Sequence, residues 1–70
     1  QFPPQAIAVY RKILQLDPAR REALWFLGFA EAASSNADGA RGFWNRLLAL
    51  LPAGGADSEA VQQALEDLNN

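Results

Sequence analysis

Leu24-Trp25-Phe26-Leu27-Gly28, followed by Ala40-Arg41-Gly42-Phe43-Trp44-Asn45-Arg46-Leu47 and then Pro52, is the stretch whose spacing decides the fold. Leu24, Leu27, Ala30 and Glu31 fall on one helical stripe and Trp25, Phe29 and Ala32 on a second, which predicts a helix over 20–34. Ala40, Phe43, Trp44, Leu47, Leu48 and Leu50 recur at the same period and predict a helix over 37–51. Between them, Ser34-Ser35-Asn36-Ala37-Asp38 is a polar break suited to a tight turn, with Asn36 either left-handed or capping the next helix. Gly28 and Ala40 are small where two helices would cross closely, and Trp44 and Leu47 fill the space beside them. Gly39 and Gly42 each weaken the later helix by up to ~1 kcal/mol relative to Ala, so packing has to offset them.

Working outward, the same text recurs. Sliding the chain along itself until Ala6 falls on Ala40 also sets Tyr10 on Trp44, Ile13 on Leu47, Leu14 on Leu48, Leu16 on Leu50 and Pro18 on Pro52. The shared order is a small residue, an aromatic, an aliphatic and then Pro, which describes a helix packed closely on a neighbour and then stopped. The first copy predicts a helix over 4–16, opened by Pro3-Pro4, which suit a first turn, and closed before Pro18. After the loop Pro52–Ala56, Asp57-Ser58-Glu59 reads as a capping start for a last helix over 57–68, with Ala60, Val61, Ala64, Leu65 and Leu68 on its apolar side. No strand pattern is present in the sequence. The expected fold is all-α, with about four helices: an antiparallel pair plus a flanking and a capping helix.

At 70 residues the chain is one small domain, and a chain of this size buries only about 60% of its unfolded surface. Half of its residues are hydrophobic and a fifth are charged, as in a globular chain rather than a disordered one. The absence of Cys and His removes disulfides, thiolate or imidazole metal sites and every Ser-His or Cys-His catalytic arrangement. Glu22 with Glu31, or Glu59 with Glu66, share a helix but have no metal ligand or polarised partner, so the expectation is no enzyme and no cofactor. No stretch reaches the ~20 apolar residues that cross a bilayer. Residues 1–46 hold all six basic residues and half of the eight acids, whereas 47–70 hold the other acids and no base. Arg11-Lys12 and Arg20-Arg21 flank a helix end and complement its dipole rather than forming a phosphate-binding surface, so nucleic acid is not an expected partner.

The repeat period, Ala6 to Ala40, spans two helices and carries Leu24-x2-Leu27-Gly28 and Ala40-x3-Trp44-x2-Leu47-x4-Pro52, and in this it resembles the tetratricopeptide repeat family. Two positions depart from that pattern: Glu31 stands where the family has an aromatic, and Ser35 where the turn has Gly. The resemblance covers 2–53 and divides the single 1–70 domain into the second helix of an incomplete repeat (1–18), a complete repeat (19–53) and a capping helix (54–70). A narrower resemblance rests on Ala23–Gly28, on Phe43–Pro52 with Leu51 where most such repeats have Asp, and on the acidic, alanine-rich final helix. These look like the C-terminal tetratricopeptide domain of the cytochrome c maturation (haem lyase) subunit family and its relative in nitrite reductase assembly. That resemblance implies a periplasmic chaperone module that holds the helical C-terminal segment of apocytochrome c for haem attachment, with membrane helices elsewhere in the protein. The alternative is a scaffold repeat, cytoplasmic, that binds another peptide or mediates self-association.

Stacked helix pairs of this kind curve so that the first helix of each pair lines a concave groove, the usual seat of a bound peptide. With Leu24 and Leu27 facing the core, Glu22, Trp25, Phe26, Phe29 and Ala33 lie toward that groove, and the last helix offers Glu59, Gln63, Glu66 and Asp67. An aromatic floor beside an acidic wall favours a ligand with Lys or Arg flanks. The alternative is that Trp25 and Phe29 are core and the acids a solvated face. The first helix is expected to show an orphaned apolar face of Ile7, Tyr10 and Leu14, to be covered by a second copy of the chain or by the rest of a longer protein.

Overall fold

The computed structural model describes residues 3–69, so the outer ends of the 1–70 and 2–53 spans, at Gln1, Phe2 and Asn70, lie outside the described residues. Four helices follow in order: α1 Pro4–Leu16, α2 Arg21–Ala33, α3 Ala37–Leu50 and α4 Ala56–Leu68, with no strand among the described residues. Each packs on the next in a slab 33 × 28 × 16 Å, with α2 and α3 the most extensive pair. Their antiparallel course shows in the contacts. Trp44 Nε1 donates to the Trp25 carbonyl (3.3 Å) in the body of the pair, while Asn36 Nδ2 donates to Glu31 Oε2 (2.6 Å) beside the turn. Arg41 Nη1, near the start of α3, reaches Asn69 Oδ1 at the end of α4 (3.2 Å), so α4 runs antiparallel to α3.

The ends of the helices follow from local chemistry. Pro4 occupies the first turn of α1, where a missing N–H costs nothing. Beyond its last turn, Asp17 accepts from the Ala19 N–H (3.2 Å) just where Pro18 prevents a further turn. At the end of α2, Ser35 takes φ 64°, the Asn36 N–H reaches the Glu31 carbonyl (2.8 Å) and the Ser35 N–H the Ala32 carbonyl (3.1 Å). This is the paired closure of a Schellman motif, with Ser at the left-handed position that Gly favours. Of the two roles open to Asn36, the structure gives it the cap: its Oδ1 accepts from the Gly39 N–H (3.1 Å), and Ser35 takes the left-handed turn. The start of α4 differs from the sequence expectation. The helix begins at Ala56 behind Gly55 with no side-chain cap, and Asp57 and Glu59 sit in its first turn, where negative charge meets the positive end of the helix dipole.

The core is centred on the α2–α3 pair: Leu24, Leu27, Ala40, Trp44 and Leu47 are buried, and Val61 of α4 closes it from below. Burying each Leu removes roughly 1.5–3 kcal/mol of exposure cost. Gly28 is small for a definite reason, since a Cβ there would run into the Trp44 indole. Glu31 serves as a polar node. Its carboxylate accepts from Asn36 at the start of α3 and pairs with Arg11 of α1 (3.7 Å), and Gly39 leaves the room this requires.

Candidate functional site

A groove of about 430 Å³ runs between α2 and α4. Trp25, Phe29 and Ala32 of α2 form one wall, Ala60, Gln63, Ala64, Asp67 and Leu68 of α4 the other, and Trp44 of α3 lies at the base. The three aromatics make one cluster. Ring centroids are 4.6 Å apart for Trp25–Phe29, 5.0 Å for Phe29–Trp44 and 5.7 Å for Trp25–Trp44, in edge-to-face or tilted arrangements, each worth ~0.5–1.5 kcal/mol beyond simple burial. The three rings thereby brace one another. Trp44 is buried, Trp25 is half-buried against the core, and Phe29 keeps 37% of its surface exposed toward the groove. Trp25 and Phe29 therefore combine the two roles the sequence left open: each rests on Trp44 and also lines the groove.

A smaller cavity of about 240 Å³ lies toward the start of α2 and α4, lined by Arg21, Glu22, Leu47, Leu51 and Asp57, and shares Trp25 and Ala60 with the groove. Trp25 and Ala60 thus form a waist between the trough of the groove and a mouth that carries Arg21, Glu22 and Asp57. The rim of the trough carries one polar pair, Gln63 Nε2 donating to Asp67 Oδ1 (3.1 Å). Among the described residues no group of His, Cys, Asp and Glu could hold a metal ion, and no buried side-chain polar atom lacks a partner. The arrangement suits apolar side chains seated on aromatic rings, with a carboxylate above them to receive a cation or an N–H.

The sequence-predicted site residues divide into three groups. Trp25, Phe29 and Gln63 come together in the groove, and Glu22 lines its mouth. Phe26 points away: its ring stacks on Tyr10 of α1, centroids 4.3 Å apart at 25°. Ala33, Glu59 and Glu66 are exposed and outside the groove lining, so the carboxylate on this wall is Asp67. The helical phase explains the difference. Ala60, Ala64 and Asp67 recur at one-turn spacing on the face turned to α2, whereas Glu59 and Glu66 stand one position earlier, about 100° round the helix. The alanines carry no chemical signal, and only their period marks them as a wall.

Comparison of the chain with protein-family models, with curated proteins and with solved structures finds no match. No described helix is long and apolar enough to cross a membrane.

Proposed function

We propose that this chain is a peptide-binding helical-repeat module of tetratricopeptide type, whose ligand is an amphipathic helix seated between α2 and α4. The observation that carries the reading is the Trp25–Phe29–Trp44 cluster facing the alanine-lined wall of α4 across about 430 Å³ of open groove. Small side chains on one wall make room, and aromatics already packed edge-to-face on the other supply large contact area at little entropic cost. The resemblance of Ala23–Gly28 and Phe43–Pro52 to the haem lyase subunit family supports a particular ligand, the helical C-terminal segment of apocytochrome c. With that ligand the module would work on the periplasmic side of a bacterial inner membrane. Asp67 at the rim favours a Lys or Arg beside the apolar face of the ligand.

Calorimetric titration with an apocytochrome c C-terminal peptide tests this directly. Phe29→Ala is the discriminating variant, because Phe29 is the most exposed ring of the cluster and its loss leaves Trp44 in place. Truncating such an anchor is expected to weaken binding by ~2 kcal/mol, roughly 30-fold. Asp67→Lys should chiefly slow association and alter its salt dependence. Unchanged affinity in a folded Phe29→Ala chain removes the groove from the reading. Binding of an unrelated amphipathic helix as tight as the cytochrome peptide keeps the groove and removes the haem-attachment role.

A further inference from the structure

The groove and the smaller cavity form one trough, because Trp25 and Ala60 line both. α2 and α4 run the same way along it, each antiparallel to α3. Glu22, Trp25, Phe29 and Ala32 line it from α2, and Asp57, Ala60, Ala64 and Asp67 from α4. Both sets step by three, four and three residues, the spacing of a coiled-coil seam. The α4 set has small residues in the middle and an acid at each end. Asp57 and Asp67 are ten residues apart, which places them ~15 Å from one another along the helix.

The acids at the two ends are not neutralised from within. Both ion pairs among the described residues, Arg11–Glu31 and Arg41–Asp38, lie outside the trough. The carboxylates of Glu22 and Asp57 have no hydrogen bond or ion pair among the described residues, and Asp67 receives only the Gln63 amide. Arg21 stands at the same mouth as Glu22 and Asp57 without pairing to either, so one cation and two carboxylates line that end. Each end of the trough lining is therefore left one charge negative, with apolar surface between.

We propose that the trough recognises a helix with a basic residue at each end of a coiled-coil-spaced apolar stripe, the two Lys or Arg side chains standing about three helical turns apart. The inference rests on the reading of the groove as a helix site and adds the length and charge pattern of the ligand. The cavity at the mouth holds about 240 Å³, less than the ~300–1,000 Å³ of small-molecule sites, and suits one side chain of a larger ligand. Leu47, Leu51 and the Trp25 ring offer apolar surface to the stem of a Lys or Arg, and Glu22 and Asp57 accept from its charged tip. At the far end Ala32 and Leu68 flank Asp67, which receives the second cation. The negative ends of the α2 and α4 dipoles lie toward Asp67 and the positive ends toward the mouth, so the cation at Asp67 counts for more.

The probes are two synthetic helical peptides of about 18 residues, long enough to hold a helix in an alanine–glutamine background. Both carry Leu at i+3 and i+7 and Lys at i. The first has its second Lys at i+10, and its isomer has it at i+5, on the opposite side of the helix, so composition and net charge are identical. Calorimetric titration into the chain should show the first peptide binding about fivefold tighter, the scale of a partly exposed ion pair, with the advantage shrinking in high salt. Asp67→Asn should bring the two peptides to equal affinity, and the Glu22→Gln, Asp57→Asn double variant should weaken both by a smaller factor, since both keep the Lys at i. Phe29→Ala should weaken both peptides alike, because it reports on the groove and not on its ends. Equal affinity of the two peptides for the unaltered chain, with Phe29→Ala weakening both, overturns the two-ended recognition and leaves the groove standing. Binding of neither peptide at millimolar concentration overturns the groove as well.

Discussion

α1 and α3 carry the same pattern, once from Ala6 and again from Ala40, each with a small residue, an aromatic, three aliphatics and a closing Pro, yet they end in opposite environments. α3 has neighbours on two sides and contributes three buried residues, whereas α1 has one neighbour and contributes none. The aromatic position shows the consequence. Trp44 inserts against Gly28 of the helix before it, while Tyr10, with no preceding helix among the described residues, stacks on Phe26 of the helix after it. A hydrophobic pattern specifies which face of a helix seeks cover. Whether cover exists depends on the rest of the assembly.

The sharpest way to break this comparison is to truncate its two aromatics. Trp44→Ala should cost ~3–5 kcal/mol, the range for removing a large buried aromatic, and a core of this size supplies little more than that in total. The variant should be unfolded or nearly so by circular dichroism at 25 °C. Tyr10→Ala should cost only ~1–2 kcal/mol, about half the gain from full burial. Equal losses at the two positions would mean that α1 is covered in solution as thoroughly as α3.

The glycines give a smaller effect with a change of sign. Gly28→Ala ought to gain the ~1 kcal/mol of helix propensity that Ala has over Gly, but the Trp44 indole occupies the space, so the net expectation is a loss of ~1–3 kcal/mol from overpacking. At Gly42 an added Cβ meets nothing within 4 Å, so Gly42→Ala should stabilise by ~0.5–1 kcal/mol. Urea midpoints at unchanged slope measure both. A stabilised Gly28→Ala chain would mean that the indole can leave its seat, and the α2–α3 interface would then be no guide to α1.

The smallest effect is expected at the paired leucines. Leu16 is 78% exposed and Leu50 39%. Leu16→Ser should stay within ~0.5 kcal/mol of the parent, with Leu50→Ser somewhat more costly. The reverse order, read from the same urea titrations at several protein concentrations, would reveal a partner on α1 that appears only at high concentration.

Sequence by itself determined where the helices lie. The boundaries expected at 4–16, 20–34, 37–51 and 57–68 agree with the structure to within a residue at every end. The physical reason is locality: Pro4, Pro18, Asn36 and Pro52 start or stop helices through bonds that reach no further than about one helical turn. Sequence also separated Leu24 and Leu27 from Trp25 and Phe29, because the helical period of about 3.6 residues places them on different stripes. Tertiary structure decided the rest. It turned Phe26 toward Tyr10, put Asp67 rather than Glu59 or Glu66 on the groove wall, and made Glu31 the joint between Arg11 and Asn36. Those outcomes depend on how far each helix rotates against its neighbour, and a rotation of one residue, about 100°, exchanges one face for another. Local spacing fixes each helix's own faces but not that rotation. It is set by contacts such as Gly28 against Trp44, between residues distant in the chain.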